Sequence, residues 1–244
     1  MGEVKNMTYT VDPEVFALNE HLVFGIIIGR DLVNGPSRQE DLSRLRRAED
    51  HIRTRIPLEQ IKEYPMIASY RDVMGAAGIN PNKYPLSVEA MVKRVLKGGS
   101  LPSINALVDL CNAVSLEQVI SLGAHDLDDI HEDLSVRFST GEETFLPIGQ
   151  SDTESVDPGE LIFTSGNTVQ TRRWIWRQSE LGKCKEESRT LIFQIVGFDT
   201  ALGSPLILAM EEIRHLIGER FSGSSESFTV TSDTPKASWS LGEA

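Results

Sequence analysis

The stretch "LPSINALVDLCNAVSLEQVISLGAHDLDDI", residues 101–130, passes from helix to strand rhythm within thirty residues and decides the class of fold. Apolar Ile104, Leu107, Val108, Cys111 and Val114 recur at helical spacing from about Asn105 to Val114. Asn105, Asp109 and Asn112 fall at i, i+4 and i+7 and draw a polar line down the same helix. A buried amide or carboxylate left unpaired costs roughly 1–3 kcal/mol, so these three need partners. Either they cap neighbouring loops or they edge a pocket. Beyond Gly123 the rhythm shortens into strands and turns.

On the N-terminal side the pattern is helical. Ser87 opens a helix with Val88, Met91, Val92, Val95 and Leu96 inward, ended by Gly98-Gly99. A shorter helix spans Ser69–Ala77 and stops at Gly78. "SRQE" at 37–40 is a capping-box signature for a helix reaching about Arg55. On it Glu40 with Arg44 and Glu49 with Arg53 have the i,i+4 spacing of a solvated face. Leu22–Ile28 is apolar throughout, as in a buried strand. Residues 1–20 are expected to be a lead-in whose first six residues are loose.

On the C-terminal side strands are expected over Leu134–Phe138, Thr144–Ile148, Leu161–Thr164, Val169–Gln178 and Leu191–Phe198. A last helix begins at Ser204-Pro205 and ends near Gly218. "SFTVT" at 227–231 adds one more strand before a polar tail. Helices first, strands in a run and a returning helix predict an α+β fold with mixed, largely antiparallel sheets packed with helices. Residues 21–221 are expected to form one domain, and 222–244 a C-terminal strand and tail.

With 244 residues, 40% hydrophobic, the chain can enclose a proper core. No apolar run reaches the roughly 18 residues a membrane helix needs, and the N-terminus lacks a signal-peptide layout, so a cytoplasmic location is expected. The two cysteines, Cys111 and Cys184, make no disulfide framework. Net charge is −12, whereas nucleic-acid binding draws on phosphate neutralisation. RNA binding would therefore need a local basic patch.

Three features could carry chemistry. In "RRWIWRQSE", 172–180, an extended chain would put Arg172, Trp174, Trp176 and Gln178 on one face and Arg173, Ile175 and Arg177 on the other. That is either a stacking surface or a pair of core-filling tryptophans beneath arginine stems. In "LIFQIVGF" Gln194 is the lone amide, flanked on its face by Ile192 and Val196; it closes a core network or reads a ligand. "HDLDDIHED", 125–133, has no recurring ligand spacing and reads as an acidic turn, so no metal is expected. Cys111 lacks a nearby histidine for nucleophilic work. There is neither a Gly-rich phosphate loop nor a G-x-S-x-G elbow.

Residues 101–130 also resemble a signature of the β subunit of bacterial phenylalanyl-tRNA synthetase, P-I-N-N-V-V-D-V-T-N-Y-V followed by H-A-F-D. "PLSVEAMVKRVLKGG", "GEETFLP", "PGELIF" and "RTLIFQIVGFD" follow the order of the same region, so the resemblance spans roughly residues 60–200. It implies a free-standing B3/B4 domain, the editing module that hydrolyses tyrosine wrongly attached to the phenylalanine tRNA by positioning water. The resemblance would gather Asn105, Cys111, Asn112, Gly123, Trp174, Trp176 and Gln194 at a substrate pocket and offer Arg172, Arg173 and Arg177 to RNA. The family's histidine falls on Gly123, its arginine on Leu101 or Ser100, its glutamate on Gln194 and its threonine on Cys111, while Asn112 keeps the shared asparagine. Tyrosine recognition is therefore not expected to survive. The implied function is a trans-acting aminoacyl-tRNA deacylase without cofactor, its partner tRNA or aminoacyl-tRNA. The alternative is a non-catalytic module for an amino acid or similar metabolite.

Overall fold

A computed structural model describes residues 5–199 and 204–241. Its first strand, β1 (Lys5–Val11), lies where a loose lead-in was expected. Met7, Tyr9 and Val11 alternate inward and are buried, a period-2 pattern that only a strand can use. A single turn, α1 (Pro13–Phe16), leads to β2 (Leu22–Arg30), buried over almost its whole length. Then come α2 (Gln39–Arg55), α3 (Pro65–Ala76), α4 (Ser87–Leu96) and α5 (Ala106–Gln118). Strands β3 (Ser121–Asp126), β4 (Leu134–Phe138), β5 (Thr144–Phe145), β6 (Glu154–Ser155), β7 (Leu161–Ser165), β8 (Thr168–Arg172), β9 (Arg177–Gln178) and β10 (Leu191–Phe198) follow. The chain closes with α6 (Pro205–Glu219), β11 (Ser224–Val230) and β12 (Lys236–Leu241).

Two sheets result. The larger runs β12-β1-β4-β7-β8-β5-β6, with β9 paired to β8; only β1–β4 and β5–β8 are parallel. The smaller, β11-β2-β10-β3, is antiparallel throughout. The fold is α+β with mixed, largely antiparallel sheets. The expected polar tail is in fact β12, paired along β1 from Lys5↔Leu241 to Thr10↔Lys236, with Ala237 and Trp239 buried. Alternating small and aromatic residues outweigh the polar composition of that segment.

Strand β10 carries two cores, one on each face. Ile192 and Val196 belong to the cluster shared with the large sheet, where Tyr9 meets Phe24 and Phe163 at ring distances of 6.3 and 5.8 Å. Phe193 and Ile195 face the other way, into a cluster roofed by α5 and α6. Helix α6 lies so close that a Cβ at Gly25 would come 2.5 Å from the Met210 Sδ. A side chain at position 25 would force Met210 to shift.

Of the two pairs expected on α2, Glu49 with Arg53 forms at 3.7 Å, but part of the expected solvated face is a seam between helices. Arg44 forks onto Glu117 and also reaches Glu212 at 2.6 Å, rather than pairing with Glu40. Glu49 is fully buried, held by Arg46 at 2.5 Å and by the Leu101 N–H at 2.7 Å. The cap also differs by one residue. Asp41 accepts from the Arg38 N–H, while Ser37 donates to Asp109 at 2.6 Å.

Candidate functional site

A hollow of about 80 Å³ opens between the sheets where β3, β10 and the β8–β9 turn meet the start of α4. Gln194 forms part of its floor. Because β10 alternates, its side chain shares the inter-sheet face with Ile192 and Val196. Across the gap, the Tyr9 hydroxyl donates to Gln194 Oε1 at 2.7 Å. Burial pushes the Tyr9 phenol well above its usual value, so it stays protonated and remains a donor. With Oε1 occupied, the amide NH2 of Gln194 is the group left for the hollow.

Gly123 pairs with Gln194 across the ladder, and His125 follows two residues on, so it shares the same face of β3. The His125 ring packs edge-on against Phe163 at 5.0 Å and is 2% exposed. Burial pushes its imidazole down to about 4, leaving it neutral near pH 7. Gln178 Nε2 lies 3.3 Å from His125 Nδ1 and donates to Ala124 O at 2.9 Å. An amide NH2 cannot accept, so Nδ1 is the acceptor and the ring proton sits on Nε2. Nε2 points toward Gly123, 3.4 Å from where a Cβ there would be. The missing side chain at 123 thus leaves room that the His125 Nε2–H faces.

The tryptophans enter by a different route from the extended face expected. The chain leaves β8 through Arg173 and Trp174, both with positive φ, 46° and 65°. Such backbone costs about 1–2 kcal/mol for a side chain other than glycine. It is held by Trp174 N–H to Leu161 O at 2.7 Å and by Ile175 N–H to Arg173 O at 2.9 Å. The reversal buries Trp174 completely, edge-on to Tyr70. Its Nε1–H has no partner among the described residues. Trp176 stays half-buried, edge-on to Tyr84 at 4.9 Å. Both indoles line the hollow; neither forms an open stacking face.

Gly123, Trp174, Trp176 and Gln194 are therefore brought together, and Asn105, Cys111 and Asn112 are not. The reason is the sheet itself: α5 covers the opposite face of β10 and β3. Asn105 caps α5, accepting from the Val108 N–H and donating to Cys184 O. Asp109 accepts from Ser37, Ser103 and the Ile104 N–H. Cys111 packs beside Phe193, and burial pushes its thiol well up, away from thiolate chemistry. Asn112 is half-buried on α5 and does not reach the hollow. Of the two readings of that polar line, loop capping accounts for Asn105 and Asp109. Of the two positions expected for the family's arginine, Leu101 is core and Ser100 is exposed.

Two of the arginines expected to meet RNA are already committed. Arg172 holds Glu154 and forks onto Glu160, each contact at 2.9 Å. Arg173 reaches Glu160 at 3.2 Å and lies 3.9 Å from the Tyr84 ring centre. Arg177, on β9, is half-buried. The acidic stretch 125–133 is likewise used locally. Asp129 takes Lys185 at 2.7 Å, Asp133 caps the Thr8 N–H, and Asp126 accepts from Ser188. Among the described residues no three His, Cys, Asp or Glu gather as a metal site.

The hollow was only partly foreseeable. In sequence His125 groups with the acidic turn, and Tyr9 with the N-terminal lead-in. The signal for His125 was its two-residue offset from Gly123 on the same strand. Chemically, the site offers N–H groups from Gln194 and His125, and Ser87, Ser121 and Thr171 are among its lining residues. It holds no carboxylate, thiol or cation.

These features define a two-sheet α+β domain with a small, uncharged, donor-rich hollow between its sheets. The chain belongs to the B3/4 domain family, whose model matches residues 69–203. In overall shape it is similar to an N-terminal fragment of the phenylalanyl-tRNA synthetase β-subunit from Pyrococcus horikoshii, with a TM-score of 0.49 and 10% identity. That likeness covers 94% of this chain and 55% of the other, so this chain spans about half the length of that fragment. No curated protein matches the sequence. No helix among the described residues is long and apolar enough to cross a membrane.

Proposed function

We propose that the chain is a cytoplasmic, tRNA-linked protein that hydrolyses a mischarged aminoacyl-tRNA in trans, with the aminoacyl group at the hollow. The observation that carries this is the set of N–H groups on an uncharged wall: the free NH2 of Gln194 and the Nε2–H of a neutral His125. Water adds to the ester carbonyl carbon, the bond from that carbon to the ribose oxygen breaks, and the proton passes to the ribose oxygen. The protein supplies no nucleophile. Donors already aimed at the carbonyl oxygen stabilise the negative charge that develops there, and one such donor is worth roughly 10²–10³ in rate.

The size of the hollow argues against tyrosine. The 80 Å³ hollow is about half the size of a 150 Å³ cavity that admits benzene. The expected aminoacyl group is small.

The test is release of amino acid from a panel of tRNAs carrying small non-cognate residues. A Gln194→Met variant should be slower by about 10²-fold. If no member of the panel is hydrolysed faster than in buffer, the catalytic reading falls.

The locked Arg172 and Arg173 favour a second reading, a module that binds a free amino acid or similar metabolite without RNA. Thermal-shift measurements separate the two, because a free ligand at 100 times its Kd adds about 2.7 kcal/mol of stability. Stabilisation by a small amino acid together with absent tRNA binding would favour the module.

A further inference from the structure

The net charge of −12 conceals a strong segregation. Residues 38–97 hold 12 of the 24 Lys and Arg but only 8 of the 36 Asp and Glu, so this helical segment is net +4 and the rest of the chain −16. Within the segment the cations converge on one turn. Arg53 donates to Gly99 O at 2.9 Å, Arg94 to Ser100 O at 2.7 Å, and Arg46 to Leu101 O at 2.7 Å. Three guanidinium groups from α2 and α4 thus grip three successive carbonyls. The turn is shaped for this: Gly98 has φ +85°, and a Cβ on Gly99 would press on Arg94 O at 3.1 Å.

Counter-charges at this turn lie on one side only. Glu49 and Asp50 face Arg46 and Arg53. Arg94 makes no ion pair among the described residues, and neither do Lys93 and Lys97. All three are exposed and sit at i, i+1 and i+4, on the face of α4 opposite buried Val88, Val92 and Val95. The first residue of the same helix, Ser87, lines the hollow and bonds through its N–H to Ile175 O at 3.0 Å. Ten residues separate Ser87 from Lys97, a span of roughly 15 Å along the helix.

We propose that the exposed end of α4, Lys93, Arg94 and Lys97, is a phosphodiester-binding surface that holds an RNA strand whose end enters the hollow. This rests on the tRNA-linked reading above and moves the RNA contact from the β8–β9 turn to α4. Exposed ammonium and guanidinium groups without carboxylate partners can release counterions from phosphates, whereas Arg172 and Arg173 would first have to abandon Glu160.

The test uses the full chain and a labelled, uncharged tRNA, with affinity followed between about 50 and 200 mM salt. Lys93→Glu/Lys97→Glu is compared with Arg214→Glu/Lys236→Glu, a control of identical net charge at exposed positions elsewhere. The α4 variant should bind at least about tenfold more weakly and lose about 1–2 units from the slope of log K against log salt, at about 0.7–0.9 per phosphate contact. The control should change little. Equal losses in the two variants, or none in the α4 variant, would overturn the surface while leaving a tRNA-linked function standing. Absent binding by the unmodified chain at low salt would remove both. Polyglutamate competing as well as tRNA would overturn the RNA assignment in favour of an acidic protein.

Discussion

Removing the Tyr9 hydroxyl tests the arrangement on which the hollow's chemistry turns. In Tyr9→Phe, Gln194 Oε1 loses its 2.7 Å partner between two apolar sheet faces and keeps only a small opening to solvent. A buried acceptor stranded in this way costs about 1–3 kcal/mol. Gln194→Met strands the Tyr9 hydroxyl at a comparable cost, since methionine replaces glutamine with nearly the same shape. In the double variant both polar groups are gone and nothing is left unpaired. Its loss should fall well short of the sum, giving a coupling of at least about 1 kcal/mol. Urea denaturation of the four proteins measures this through the midpoints, with the slope unchanged. For a domain of this size each kcal/mol also moves Tm by about 2–4 °C. Additivity within about 0.5 kcal/mol would show that the two groups do not meet. The assignment of the Gln194 NH2 to the hollow, and with it the preference for an acceptor, would then be lost.

His125 makes stability depend on pH. Its folded value lies near 4, below the ordinary 6.5, so between those limits the unfolded chain binds the extra proton and the folded protein loses stability as pH falls. The loss is about 3 kcal/mol in all, complete near pH 4, and His125→Gln should remove that part of the urea-midpoint profile. A profile identical in variant and parent would contradict a buried neutral ring. Arg172→Ala should cost about 3 kcal/mol by depriving Glu160 of its main partner, with tRNA affinity unchanged; a fall in affinity at intact stability would restore the turn as an RNA contact. Asp109→Ala should lower stability by about 1–3 kcal/mol through the freed Ser37 and Ser103 hydroxyls and the Ile104 N–H. It should leave ligand response at the hollow as it was, and a changed response would reconnect α5 to the site.

Where one period ran uninterrupted, the sequence was enough to place the elements. Strand β10 and helices α2, α5 and α6 follow directly from apolar spacing, because each buries a single continuous stripe or face. The terminal strands escape a local reading because they are mostly polar. In β1 and β12 only every second residue faces the core, and each strand is stable because the other pairs with it across the whole chain. No local window contains that pairing. The tryptophan segment failed for a related reason: alternation assumes extended backbone, and two consecutive positive φ angles at Arg173 and Trp174 are supplied by contacts with Leu161, outside the segment.

The site was legible to the extent that its residues lie on regular strands. Gln194 stood out as the lone amide in an apolar run, and Gly123 lies opposite it in the ladder, so strand geometry alone puts the two together. The polar line on α5 gave an equally strong local signal but belongs to the other side of the sheet. A helical pattern shows which face is polar, not which side of a sheet the helix covers. Charge behaved the same way. Near Trp174 the arginines are conspicuous in sequence yet paired by Glu154 and Glu160, 12 to 18 residues away. The cations of α4 look ordinary in sequence but have no such partners. What distinguishes a working cation from a structural one is the carboxylate facing it, and that is settled by how the helices and sheets pack.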